Sequence, residues 1–512
     1  MPGREKGVEN LPFTPIDEAV HALDTESEPW TIQLELRVAG HLDEERLRKA
    51  LRLALDHHPM ARVRTVPARK GQRRHHWQTT PEPDLDPLVV TSLNGGLSLA
   101  SLRAAFYSRP IALSESPPLR VRLVQNAGGD LLMMSINHSA FDGFGALRLL
   151  QSVARAYSGD IDPAPRADLP EARDLDALVA ADEGERETRR RRVLDKLRDL
   201  VSPPARLAPE GGLDEAGYGF HQVTLTPDQT KALTEREGRG TVNDVLIAAL
   251  NLAVDAWNDG RGVDRRRVSI LVPVNLRPPK WREDVVTNMV LDARVATEPG
   301  DRKSPQAALD AVVAESERIK KGGAAALMDV LKGLPAVPRP VKDRLAGLLH
   351  ITGDRLVDTA VLSNLGQLGQ VPSFGGDAGD STEMWFSAPT RMPCGLSIGT
   401  VSVGGRLHLS FRYRHSLWSA AAAQRFADRY VAELDRLVAE TSKTNGGSMT
   451  DDDPLTRRLV HGDESRLHVD PSAVVNNALF NLSSGEITVG PHVIFGHGVS
   501  ILTGTHDINK FG

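Results

Sequence analysis

Residues 131 to 157 read LLMMSINHSAFDGFGALRLLQSVARAY: an unbroken apolar run, a short polar corner, then apolar residues recurring every three or four positions. The run predicts a buried strand over Leu131–Ile136, and the recurrence predicts an amphipathic helix running on from Phe144. A strand fed directly into a helix commits this part of the chain to a mixed α/β fold. It also places His138 at the corner, where a packed scaffold exposes side chains and catalytic groups tend to be found.

The 512 residues exceed one ordinary core, and about 150 residues per domain suggests two large units and a remainder. Residues 1–160 alternate the two patterns. WTIQLELRVAG has period two, and DEERLRKALRLALDHHP is an amphipathic helix opened by acidic residues and closed by proline. Residues 161–213 shift to Pro, Ala, Asp, Glu and Arg and read as a helical crossover ending in a loop. A second α/β region, 214–441, carries the strand-like HQVTLT, RVSILVPVNL, LSIGTVSVGG and RLHLSFRYR, together with the helix NDVLIAALNLAVDAW. It closes on the amphipathic AAAAQRFADRYVAELDRLVAE. Residues 442–466 then open with TSKTNGGSMTDDD, the composition of a flexible linker.

Residues 467–512 obey a different rule. Ile487, Val493 and Val499 recur every six positions, a second row runs through Val489, Phe495 and Ile501, and glycines fall at turn-like places between them. A six-residue period points to a parallel β-helix, whose coils bury their apolar faces only against one another. About two coils fit before Gly512, fewer than the roughly three such a solenoid needs. The expectation is either a chain cut short or a fragment completed by packing on something else, in which case it would serve oligomerisation.

Composition narrows the function. With 40% hydrophobic and 25% charged residues and a net charge of -5, nothing calls for nucleic acid. The basic run Arg189–Arg192 is flanked by Glu183, Glu185, Glu187, Asp195 and Asp199, so it reads as a solvated helix face. Cys394 is the sole cysteine, which excludes an intrachain disulfide and a multi-cysteine metal site. No signal-peptide core opens the chain and no stretch approaches the roughly 18 apolar residues of a membrane span, so a cytoplasmic location is expected.

HSAFDG, His138 to Gly143, matches the HxxxDG signature of the superfamily that includes chloramphenicol acetyltransferase, peptide-synthetase condensation domains, wax ester synthases/diacylglycerol acyltransferases and polyketide-associated acyltransferases. The fuller form HHxxxDG has a first histidine where this chain has Asn137. LPFTPIDEAVHALD, DHHPMARVR, TVNDVLIAAL, VPVNLRP and VLSNLGQLG resemble further family landmarks in the family's order, covering about residues 11 to 440. The resemblance implies two chloramphenicol acetyltransferase-like α/β sandwich lobes in a V-shaped arrangement with the active site between them. SSGEITVGPHVIFGHGVSILTGTHD is similar to hexapeptide-repeat acyltransferases, implying a short left-handed β-helix fragment in which His506 occupies the place of a possible base.

The resemblance makes His138 the general base of acyl transfer from a thioester. A neutral imidazole can take a proton from an attacking hydroxyl or amine and return it to the departing thiolate. Asp142 reads from the residues as a triad member. The family pattern instead has the aspartate point away and pair with an arginine, here Arg277. Gly143 lets backbone approach a carbonyl or pantetheine arm closely. Ser363 and Asn364 are either oxyanion donors or a turn closed by side-chain-to-backbone bonds. His57 and His58 read as solvent-facing or dipole-bound residues at a helix end, His75 and His76 as loop residues, and Cys394 as a small buried residue.

No metal and no bound cofactor is called for: acyl-coenzyme A or a phosphopantetheine-linked acyl group is the donor substrate. The partners implied are an acyl- or peptidyl-carrier protein and a small-molecule hydroxyl or amine acceptor, with no nucleic acid and no integral membrane segment. The function expected is an O- or N-acyltransferase of natural-product or lipid biosynthesis. The alternatives are a wax ester synthase/diacylglycerol acyltransferase acting on long-chain alcohols, or a non-catalytic module that docks a carrier.

Overall fold

The protein is represented by a computed structural model, which describes residues 8–67, 72–93, 98–163, 168–175, 202–212, 216–278, 281, 284–332, 336–342, 357–443, 459–470, 472–476, 478–491, 493, 495 and 499–503. The chain divides into two compact units, 1–440 and 441–512.

Two sheets organise the first unit. One contains β2 (Thr31–Val38), β5 (Leu88–Ser92), β6 (Leu119–Gln125), β7 (Leu131–Asn137) and β12 (Ser381–Ser387), in the order β12-β2-β7-β6-β5. The other contains β8 (Tyr218–Thr224), β9 (Val268–Asn275), β10 (Val290–Thr297), β11 (Ala360–Gln367), β13 (Leu396–Val403) and β14 (Arg406–Arg414), in the order β10-β9-β11-β13-β14-β8. A small antiparallel sheet of β1 (Asn10–Pro12), β4 (His76–Thr79) and β3 (Val63–Thr65) caps the amino-terminal half.

β7 is buried at every position, as an unbroken apolar run requires when both faces are covered. One face carries α2 (Glu44–His57) and α4 (Gly143–Ser158), which pack on each other and on the sheet. α2 buries Leu47, Ala50, Leu51, Ala54 and Leu55, the three- and four-residue spacing of a helical stripe, and Asp43 caps it by accepting from the Arg46 N–H. The other face meets the helix α3 (Leu99–Tyr107), whose Phe106 and Tyr107 cover Met133. In the second half Thr241 and Asp244 form a reciprocal capping box for the helix Val242–Asp259, which supplies much of the second core.

One strand breaks the expected division of the lobes by sequence. β12 lies within 214–441, yet it pairs antiparallel with β2, Phe386 opposite Leu34, and extends the amino-terminal sheet. It also lies against β13 and β14 of the other sheet. Gly399 permits this approach: a Cβ there would sit 1.9 Å from the Phe386 carbonyl oxygen.

The second unit, taken by itself, is a stack of short parallel strands. β15 (Leu459–His461), β17 (Leu479–Asn481) and β19 (Ser500–Leu502) form one ladder, with Leu459 opposite Leu479 and Leu479 opposite Ser500. β16 (Leu467–Val469) and β18 (Ile487–Val489) form a second. Both six-residue rows, Ile487, Val493, Val499 and Val489, Phe495, Ile501, join one apolar cluster around Phe480. The ladder already begins at Leu459, inside the segment expected to be linker; the polar composition that suggested a linker holds only as far as the run before it.

Candidate active site

β7 ends at Asn137, a tight corner follows, and Asp142 caps α4 by accepting from the Gly145 N–H at 2.9 Å. Asn137 is wholly buried and clamps the corner. Its amide donates to Asp24 at 2.7 Å and to the Ile111 carbonyl at 3.3 Å, and its Oδ1 accepts from the Ser139 N–H at 3.0 Å. The His138 backbone is tied on both sides, its N–H donating to the Trp30 carbonyl and its own carbonyl accepting from the Asn288 amide.

The His138 ring is half-buried and opens on a cavity. Its Nδ1 is sealed and forms no well-aligned hydrogen bond, which leaves Nε2 as the nitrogen turned to the cavity. Burial pushes its pKa down, the charges of Asp142 and Asp17 and the nearby carbonyls push it back, and the net is a value below the ordinary 6.5. The imidazole is therefore neutral at pH 7 and able to accept a proton.

Asp142 is buried and fully engaged elsewhere. Arg277 grips it with two bonds of 2.7 and 2.9 Å, and the Met289 N–H adds a third donor at 2.8 Å. Arg277 also donates to the Thr287 carbonyl at 2.8 Å and approaches Asn275 Oδ1 at 3.3 Å. Among the described residues no hydrogen bond joins Asp142 to His138, so the triad reading gives way: the carboxylate's oxygens are taken up by donors from α4, from VPVNLRP and from the loop before β10.

The cavity, of about 50 Å³, lies between the corner and the strands around it. Its first wall is Trp30 and Ile32 from β2 and its approach, Phe386 and Ala388 from β12 and its end, and Phe144 of α4. Its second wall is built by alternation, because successive side chains of a strand point to opposite faces. Leu271, Pro273 and Asn275 of β9, Val290 and Asp292 of β10, and Val361, Ser363 and Leu365 of β11 line it, joined by Asn364 where β11 runs out of register with β13.

A family model for the condensation domain matches residues 12–168, the segment that builds this corner. An uncharacterized protein of Mycobacterium tuberculosis (strain H37Rv) is 35% identical over 435 residues, 82% of this chain and 98% of its own length. The chain belongs to the condensation-domain superfamily. Two solved structures share the fold. The epimerization domain from the third module of tyrocidine synthetase B aligns with TM-score 0.61 at 17% identity, over 86% of this chain and 100% of its own. The first condensation domain of the calcium-dependent antibiotic synthetase, in complex with a substrate analogue, aligns with TM-score 0.61 at 16% identity, over 86% and 98%. Acyl or peptidyl transfer in natural-product synthesis, typically amide-bond formation, is the superfamily's general chemistry.

Within this condensation fold the other expected residues fall as follows. Gly143 lines the cavity, and a Cβ there would meet Phe386 at 3.0 Å and Leu365 at 3.2 Å, so packing around the cavity also needs the glycine. Asn364 Oδ1 accepts from the Gly366 N–H at 2.8 Å, as the turn alternative has it, and Asn364 and Ser363 both line the cavity. His506 lies outside the described residues. Cys394 is buried, and burial pushes its thiol up to about 11.

His58 and His76 depart from expectation. His58 is buried, not solvent-facing, with Nε2 2.8 Å from Ser152 Oγ, and His57 is half-buried. With Asp162 they have metal-ligand spacing, but Arg148 already holds Asp162 by two bonds of 2.9 and 2.5 Å, which meets that carboxylate's charge. His75 lies in the loop before β4, as expected, buried 2.7 Å from Glu18, which also pairs with Lys342 at 2.8 Å, whereas His76 opens β4. Burial would raise the Glu18 carboxyl, but those two hydrogen-bonding partners bring it down to about 2.

Sequence reading missed Asn288, the backbone of Met289, and Asp292. All three lie in or beside β10, where the alternation of VLDARVAT was the available signal. No helix among the described residues is long and apolar enough to cross a membrane.

Proposed function

We propose that the protein transfers an acyl group from a thioester, carried by coenzyme A or by the pantetheine arm of a carrier protein, to a hydroxyl or amine acceptor, with His138 as general base. The observation that supports this most directly is His138 itself: a neutral imidazole with one nitrogen sealed and the other open to a cavity between two sheets. The acceptor's O–H or N–H gives its proton to Nε2 as its heteroatom attacks the thioester carbonyl. Collapse of the tetrahedral intermediate breaks the C–S bond, and the proton passes from His138 to the departing thiolate. Ser363 Oγ–H or the Asn364 amide N–H, both from the lining of the cavity, donates to the oxyanion in this reading.

Asp142 and Arg277 act as positioning residues. Their pair fixes the corner against the second sheet, and removing one partner would leave the other buried and uncompensated. The carrier protein as donor follows the superfamily's use of carrier-bound substrates.

The test is thiol release from a panel of acyl-coenzyme A and acyl-pantetheine donors supplied with mixed alcohol and amine acceptors. Loss of a positioned base costs a factor of about 10²–10⁴, so His138→Ala should fall by that much. Equal release by wild type and His138→Ala would refute the role of His138. Binding of a carrier protein irrespective of its acyl load, without turnover by wild type, would favour the docking module.

A further inference from the structure

Three arginines meet one carboxylate where the approach to β2 lies against the second sheet. Glu28 is buried there, and its Oε1 accepts from the Met392 N–H at 2.8 Å. Arg414, at the end of β14, and Arg391, in the loop between β12 and β13, each bring Nε to 3.6 Å from that carboxylate, too far for a hydrogen bond. Arg412 is wholly buried beside them. Its guanidinium and that of Arg414 lie over the Tyr218 ring, 3.9 and 4.8 Å from the ring centre, and the Tyr218 hydroxyl donates to the carbonyl of Thr390, the neighbour of Arg391.

Positive charge outnumbers negative in this seam. Among the described residues Glu28 is the only carboxylate that ion-pairs with any of the three arginines. Arg412 gives its donors to neutral oxygens, the Thr31 carbonyl at 2.7 Å, the Gln33 side chain at 3.2 Å and the Pro29 carbonyl at 3.3 Å, and Arg414 donates to the Ser27 carbonyl at 3.1 Å. Arg391 is only 5% exposed, yet it donates no hydrogen bond among the described residues, and its Nε and Nη1 are sealed from solvent. The Nε atoms of Arg412 and Arg414 are likewise sealed and without a protein acceptor. Carbonyls satisfy N–H groups but do not cancel charge. Guanidinium groups stay ionised, so three positive charges against one negative leave the buried seam with an uncompensated excess, which an anion would relieve.

We propose that this seam is a binding site for a small monovalent anion of the halide class, such as chloride, held by Arg391 Nε and Nη1 together with Arg414 Nε. A compact ion suits donors that are sealed on all sides. The site uses none of the groups assigned to transfer, and it does not depend on that chemistry. Its position still bears on the cavity, because Trp30 follows Glu28 by two residues, Pro389 precedes Arg391 by two, and both line the first wall. The anion fastens the entry of β2 to the loop after β12, the two segments that carry that wall.

Thermal melting of the full-length protein tests this when sodium gluconate is exchanged for sodium chloride at fixed ionic strength. Wild type should gain about 1–2 °C for each tenfold rise in chloride above its dissociation constant, the linkage expected when a ligand binds only the folded form of a chain of this size. Arg391→Met should need about tenfold more chloride or beyond for the same gain, the scale of removing one member of a desolvated charge pair. Arg52→Met, on the exposed face of α2, should respond as wild type does. Wild-type crystals carrying bromide should show an anomalous peak among the guanidinium groups of Arg391, Arg412 and Arg414, a readout that needs no variant to fold. Equal melting of wild type in chloride and gluconate, an undiminished chloride response in Arg391→Met, or no bromide peak at the seam would overturn the proposal.

Discussion

The corner between β7 and α4 and the wall made by β9, β10 and β11 enclose the same cavity, and each contributes one carboxylate to its lining. Asp142, at the corner, accepts from both arms of Arg277 and from the N–H groups of Gly145 and Met289. Asp292, on the wall, has no hydrogen-bonded or ion-paired partner among the described residues. A buried charge is tolerated when donors surround it, and the saturated one is then part of the framework. Asp292 is exposed, so water can meet its charge. The difference separates the carboxylate that holds the site together from one the fold does not need.

The comparison can be broken most severely at His138. His138→Ala should lose about 10²–10⁴ in thioester turnover with an unchanged melting temperature, measured by thiol release and calorimetry. If the melting temperature collapses as well, the corner is one structural unit and the division between framework and chemistry is wrong. Next comes the framework pair: Asp142→Ala or Arg277→Met should each cost on the order of 3–5 kcal/mol in urea denaturation. The double variant, Asp142→Leu with Arg277→Met, should recover part of that loss, because no lone buried charge remains.

A smaller effect is expected at Gly143→Ala. The added methyl would crowd Phe386 and Leu365 at 3.0 and 3.2 Å, an overpacking cost of roughly 1–3 kcal/mol. Smallest is the effect read in the pH profile. His138 has its pKa lowered, so the basic form persists below pH 6.5 and turnover should decline only as pH falls through that depressed value.

Much of the corner was legible in the chain because its signals are local. The apolar run of β7, the stop at Asn137 and the helical recurrence after Gly143 all lie within one short segment, and the capping role of Asp142 needs only α4. The pairing of Asp142 with Arg277 was accessible only through family resemblance, since nothing in the spacing of two residues so far apart in sequence selects it. His58 was misread because polarity was taken for exposure. Ser152, distant in sequence, supplies the partner that makes its burial tolerable.

The sequence by itself determined the strand and helix periodicities, the corner that presents His138, and the six-residue rows whose residues gather in the core of the second unit. Each of these is written in the order of neighbours along one element. The tertiary structure decided that β12 joins the amino-terminal sheet, that the loop ending in Met289 secures the corner, and that Asp292 faces His138's cavity without a counter-charge. Alternation marks two faces on a strand without saying which will be buried or by what; only when distant strands pair does one face become a wall, and only then does a carboxylate on it gain or lack a partner.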